Sequence, residues 1–170
     1  MGGALMIILA LVVIAAVMSI AYYNTFVRLR NQSDEAFSTM DVYLKKRYDL
    51  IPNLVETVKH YAIHEKETLE KVISARTMAM GSQSIDERVQ NENMLSGTLK
   101  SLFAVSENYP DLKADTSFLN LQNQLSSIEN EISQARKYYN GAVRALNTKI
   151  EMFPSNIVAN MAGFKKYPFF

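Results

Sequence analysis

Residues Ala4–Tyr23 read ALMIILALVVIAAVMSIAYY, twenty positions without a charge. The only polar side chains among them are Ser19 and the hydroxyls of Tyr22 and Tyr23. At about 1.5 Å per residue, a helix of this length matches a hydrocarbon core of about 30 Å. It also satisfies its own backbone hydrogen bonds, which lipid cannot do. A buried helix of a globular protein is rarely apolar on every face over such a length. The stretch therefore reads as a transmembrane anchor, with residues 1–24 forming the membrane segment and the span at about 4–23.

The rival is a cleaved signal peptide, for which Ser19 and Ala21 offer suitably small residues. Met1-Gly2-Gly3 supplies no basic side chain for an n-region, and the apolar run exceeds a usual h-region, so retention as an anchor is the expectation. The chain contains no cysteine, which excludes lipoprotein processing, disulfides, thiol catalysis and Cys-based zinc sites. No Lys or Arg precedes the span, whereas Arg28, Arg30, Lys45, Lys46 and Arg47 follow it. By the positive-inside rule the N-terminus lies outside and the following domain in the cytoplasm; the alternative puts the domain on the outer side of the membrane. Tyr22, Tyr23 and Phe26 are expected at headgroup level as an aromatic belt.

Beyond the anchor, 18 basic and 17 acidic residues over the whole chain are well mixed. That balance argues against nucleic-acid binding, which shows as a basic stripe or high pI. Proline and glycine are scarce, so the chain reads as all-α, with one domain over residues 25–162 and an aromatic, basic tail over 163–170. Leu29, Ser33, Ala36, Met40, Tyr43 and Arg47 alternate in steps of three and four, continuing the anchor helix into the soluble part. Ala36, Phe37, Met40, Tyr43 and Leu44 are expected on its core side. Leu50-Ile51-Pro52 is expected to end it, because proline disfavours helical geometry in the residue before it. A second helix from Pro52 then carries Leu54, Val55, Val58, Tyr61, Ala62, Leu69, Val72, Ile73 and Ala79 to a C-terminal cap at Gly81.

Ser84-Ile85-Asp86-Glu87 has the form of a capping box opening a third helix. That helix presents Ile85, Val89, Leu95, Leu99, Leu102 and Phe103 and ends before Pro110. Asp111 to Asp115 is expected as a short connection. The next ladder is Phe118, Leu121, Leu125, Ile128, Ile132, Ala135, Tyr139, Ala142 and Leu146, a coiled-coil-like seam. Phe153-Pro154 closes it, and Ser155 is expected to cap a last helix through Asn160. Four long helices with short loops predict an antiparallel four-helix bundle. An echo between Tyr22-Tyr23-Asn24, Val27-Arg28, Asn31 and Tyr138-Tyr139-Asn140, Val143-Arg144, Asn147 reads as similar packing needs, since no repeat period extends from it.

Several of these runs resemble the LemA family of bacterial membrane-anchored helical proteins. The carriers are Tyr23-Asn24 with Arg30-Asn31, LKKRYDLIPNLVETVKHYAIHE (Leu44 to Glu65), SENYPDLKAD (Ser106 to Asp115), Phe118 with LQNQL, Glu129 and Ile132, ARKYYN (Ala135 to Asn140) and FPSNIVA (Phe153 to Ala159). The resemblance implies a single N-terminal span, a helical bundle, no cofactor and no established enzymatic activity. His60 stands where the family commonly has Gly. The chain also stops at Phe169-Phe170, where relatives often continue with an acidic tail, which puts tail-borne contacts in doubt.

Chemistry-bearing constellations are few. Glu56, His60 and His64, with Glu65 adjacent, fall at i, i+4 and i+8, spacing that could bring a carboxylate and two imidazoles to one metal. The bland reading, a solvated face with i,i+4 pairing, is preferred, because H-x-x-x-H alone is a weak signal and family tolerance of Gly at His60 argues against an essential ligand. Lys45, Lys46, Arg47 and Asp49 could dock an acidic partner or anionic lipid; the bland reading is a solvated helix end. Phe164, Lys165, Lys166, Tyr167, Phe169 and Phe170 suit either a membrane interface or a cover over an open side of the bundle. No triad spacing or phosphate loop is present. The reading is a non-enzymatic membrane scaffold or adaptor, self-associating or bound to another membrane protein, with no small-molecule substrate. A metal-binding hydrolase or sensor and a membrane-shaping protein are the alternatives.

Overall fold

The computed structural model describes residues 1–170 and contains six helices and no strand. They are α1 (Gly2–Tyr61), α2 (Lys66–Met80), α3 (Ile85–Ser106), α4 (Pro110–Ala114), α5 (Thr116–Glu151) and α6 (Ser155–Ala162). An 18-residue window of α1 reaches a mean hydropathy of 3.0 with none of its residues buried, so α1 is long and apolar enough to cross a membrane. The chain divides into two compact units, one of Met1–Ser38 with Lys137–Phe169 and one of Thr39–Arg136 with Phe170.

The largest departure from the sequence reading is at Pro52. It does not end the first helix; α1 runs through it to Tyr61. Proline cannot donate to the carbonyl four residues earlier, here Tyr48 O. That oxygen instead accepts a hydrogen bond from Arg76 Nε on α2 at 2.8 Å. Tertiary pairing thus replaces the bond the ring removes. The break comes later, at Ala62–Glu65, where Glu65 N bonds Ala62 O at 3.1 Å before α2 begins. Ile73, expected on the core side, is exposed. Gly81 follows α2 as foreseen but at φ −90°, not in the left-handed region.

Within the unit of Thr39–Arg136, the contacts fix helix directions. Tyr61 meets Asp115 and Arg47 meets Glu129, so α1 and α5 are antiparallel. Asp41 meets Arg88 and Arg47 meets Ser96, so α1 and α3 run parallel. The core here is built from Met40, Leu44, Ile51, Leu54, Val58, Leu69, Val72, Leu95, Leu99, Leu102, Leu112, Phe118, Leu125 and Ile132. The Ser84 half of the capping box forms, with Ser84 Oγ accepting from Glu87 N at 3.1 Å, while Glu87 Oε2 reaches one residue further back and accepts from Gln83 N at 2.8 Å. Residues 110–114, expected as a connection, make the short helix α4. Asp115 then caps α5 by accepting from Phe118 N at 3.0 Å.

In the other unit Phe26, Leu146 and Ala159 form a small core, with Phe164 packed against it. Phe26 is therefore buried and takes no part in an aromatic belt facing lipid. Ser155 does not cap α6 as an acceptor. It is buried, and its hydroxyl oxygen lies 2.6 Å from Lys149 O and 2.9 Å from Met152 O, its single proton shared between the two carbonyls at the corner between α5 and α6. α6 ends at Gly163, whose φ of +78° is the left-handed conformation that glycine adopts without strain.

Candidate functional site

Two charged residues sit on apolar ladders of opposite helices. Arg47 occupies the ladder position after Met40 and Tyr43 on α1, and Glu92 falls between Val89 and Leu95 on α3. Both are all but inaccessible, at 1% and 2% exposure. Arg47 forks: Nη2 pairs with Glu92 Oε2, and Nη1 pairs with Glu129 Oε1 on α5. Nη1 also lies 2.7 Å from Ser96 Oγ, and Tyr48 OH donates to the other oxygen of Glu92. One guanidinium therefore ties three helices. A planar fork with fixed donors suits this role better than an ammonium group would. Leu44, Ile132 and the polar cluster line a small cavity of about 220 Å³, shared with Ser133 and Arg136.

Burial pushes the Glu92 carboxyl above the usual glutamate range, against the opposing pull of Arg47. A second pair lies beside it, with Arg88 bridging to Asp41, which also holds Lys45 at 2.8 Å. Burial raises the Asp41 carboxyl, but its bonds to Lys45 and Arg88 outweigh this and hold it below the ordinary value. At the far end of the same unit Tyr61 OH donates to Asp115 at 2.7 Å, and Tyr109 OH donates to Glu65 at 3.0 Å. Each of these carboxylates finds its partner within the chain. The arrangement is a set of helix ties.

The sequence-predicted residues are placed differently. Glu56 and His60 lie on the last turns of α1, but His64 lies in the turn after it, so the three do not share one helical face. All three are exposed, and no three His, Asp or Glu side chains converge as metal ligands. Arg47 is not part of a surface patch with Lys45, Lys46 and Asp49; it is the centre of the buried cluster. Lys45, Lys46 and Asp49 remain on the surface, with Lys46 Nζ 5.3 Å from the Tyr43 ring centroid. Lys113 pairs with Glu107 at 2.6 Å.

The tail is held by side chains. Phe164 stacks on Phe26 with centroids 5.1 Å apart, and the Arg30 guanidinium lies 5.2 Å from the same ring. Asn147 pairs with the main chain of Tyr167 in both senses, accepting from N at 2.8 Å and donating to O at 2.9 Å. Tyr167 OH donates to Asp34 at 2.8 Å, and Tyr139 OH donates to Pro168 O at 2.8 Å. Burial first, then the nearby Tyr167 and Asp34, push the Tyr139 hydroxyl up to about 12. Phe170 is buried, with Arg136 5.0 Å from its ring centroid. Lys165, Lys166 and Phe169 stay exposed.

Fold and cluster define a class: an all-helical, membrane-associated protein with one long apolar N-terminal helix, whose buried ionisable groups pair with one another. Residues 36–170 match the LemA family, and the chain belongs to it. Among its relatives, Protein LemA of Metamycoplasma hominis is 28% identical over 80% of this chain and 63% of its own length. Magnetosome protein MamQ 2 of Paramagnetospirillum magneticum is 24% identical over 98% of this chain and 71% of its own. Magnetosome protein MamQ of Magnetospirillum gryphiswaldense is 21% identical over 87% and 64%. The descriptions of the family and of these relatives name no reaction.

Proposed function

We propose that this chain is a non-enzymatic scaffold or adaptor of the bacterial inner membrane, tethered by residues 4–23 and acting through helix faces that bind itself or another membrane protein. The observation that carries this reading is the Arg47 cluster, in which one buried guanidinium ties three helices. Its guanidinium, two carboxylates and two hydroxyls bond to each other across α1, α3 and α5. These bonds fix the helices that carry the outer faces. In this reading the exposed Lys45, Lys46 and Asp49 on α1 are candidate partner contacts, as are Lys165, Lys166 and Phe169 of the tail. The excess of Arg and Lys after the span supports a cytoplasmic position for the helices.

The test is the mass of the full chain in detergent, together with crosslinking in intact cells. Particles heavier than one 19.2 kDa chain, or a discrete crosslinked product, are expected. A monomer in detergent that gives no crosslinked product in cells would contradict the proposal.

A further inference from the structure

The two most exposed large apolar side chains beyond the span are Met161 at 85% and Phe153 at 78%, on α6 and the corner before it. Met152 and Ile157 are also open there. α6 buries its other side, through Ser155 and Ala159. Its outer face is not adrift in the unit: Val158, Met161 and Ala162 line one recess, of about 340 Å³, together with Ser19, Ile20 and Tyr23 of α1. Those three α1 residues are the last turn of the charge-free run. Whatever solvent surrounds Ile20 and Tyr23 therefore also surrounds Met161.

From this juxtaposition we infer that α6 is an interfacial helix, seating Phe153, Ile157 and Met161 in the surface of the bilayer that α1 crosses. The inference rests on the anchor reading above. The polar frame agrees with it. Lys149 Nζ lies 5.2 Å from the ring of Tyr22, and exposed Lys165 follows within a few residues of α6, while Lys166 pairs with Glu151. Ammonium groups beside an apolar face suit a surface of anionic headgroups. Phe164 and Tyr167 of the tail do not supply this face, because Phe164 is stacked on Phe26 and Tyr167 is bonded to Asn147 and Asp34. The membrane contact belongs to α6, and the tail is a strap over helices.

The absence of native cysteine allows a direct test on the full chain in vesicles of phosphatidylcholine and phosphatidylglycerol. Single nitroxides are placed by Ile157→Cys and Met161→Cys, with Val12→Cys in the span and Lys100→Cys on α3 as references. Collision with oxygen, which partitions into lipid, is compared with collision with a water-soluble nickel chelate. Ile157 and Met161 should favour oxygen several-fold over Lys100, approaching Val12. A Lys100-like ratio at both sites, with Val12 lipidic, would overturn this inference and leave the anchor standing. A water-exposed Val12 would overturn both. Sites 157 and 161 shielded from both reagents would mean that protein, not lipid, covers α6, and would also overturn it.

Discussion

Arg76 Nε donates to Tyr48 O at 2.8 Å, and Tyr48 O is the carbonyl that Pro52 leaves without its helical donor. The proline and the arginine are a matched pair, one removing a backbone bond inside α1 and the other replacing it from α2. Arg76→Met should destabilise the protein by about 1.5–3 kcal/mol, the usual worth of a hydrogen bond from a charged donor. The same change in a Pro52→Ala background should cost less, because the backbone N–H regained at position 52 can then donate to Tyr48 O. A denaturation double-mutant cycle measures the difference, and additive costs would mean the two residues are not coupled.

Removing Arg47 leaves Glu92 buried without its partner. Arg47→Met should cost about 3–5 kcal/mol, in the range seen when one member of a buried pair is deleted. Arg47→Met with Glu92→Gln should recover part of that loss, since no bare carboxylate then remains. Urea unfolding of the variants reads both effects.

Acid should reveal Glu92. Burial raises its folded-state pKa above the ordinary 4.5, so the native state holds a proton over a pH window in which the unfolded chain has lost it. Stability from this group is complete below 4.5 and is lost as pH rises through the folded value. Asp41 and Asp115 act oppositely: their lowered values give stability above the ordinary 3.8 that is lost as pH falls through the folded values. Glu92→Gln should therefore flatten the gain in stability on acidification toward pH 4.5 while leaving the loss below 3.8 in place. Thermal melts across this range check the sign.

The strap depends on Asn147. Asn147→Ala removes both bonds to the Tyr167 main chain and should release the tail, with amide exchange at residues 165–167 accelerating while the α3 amides stay protected. Asn147→Asp keeps the acceptor for Tyr167 N and loses the donor, so its exchange should fall between the two. Equal exchange in all three proteins would show that the other contacts, Phe164 on Phe26, Tyr167 with Asp34 and Tyr139 with Pro168 O, hold the tail without Asn147.

The sequence was most legible where periodicity and local chemistry agree. The long apolar helix, the Ser84–Glu87 box and the ladder from Phe118 to Leu146 stand where spacing put them. It was least legible where a distant residue decided the outcome. Nothing near Pro52 announces Arg76, twenty-four positions on, so a local rule ended the helix too early. A second helix read as unbroken from Pro52 to Gly81 then carries His64 onto a helical face it does not occupy. Arg47 and Glu92 each occupy a position on an apolar ladder, with opposite charge, the mark of a buried pair. A cation beside Lys45 and Lys46 reads as surface until its helical phase is taken into account.

Anchor and orientation are tested most directly by labelling single cysteines in intact bacteria with a membrane-impermeant thiol reagent, using Gly2→Cys in one protein and a cysteine appended after Phe170 in another. Gly2→Cys is expected to react in intact cells, and the C-terminal cysteine only after lysis. Labelling of the C-terminal cysteine in intact cells, with Gly2→Cys protected, would contradict the cytoplasmic placement and move the search for partners to the outer side of the membrane.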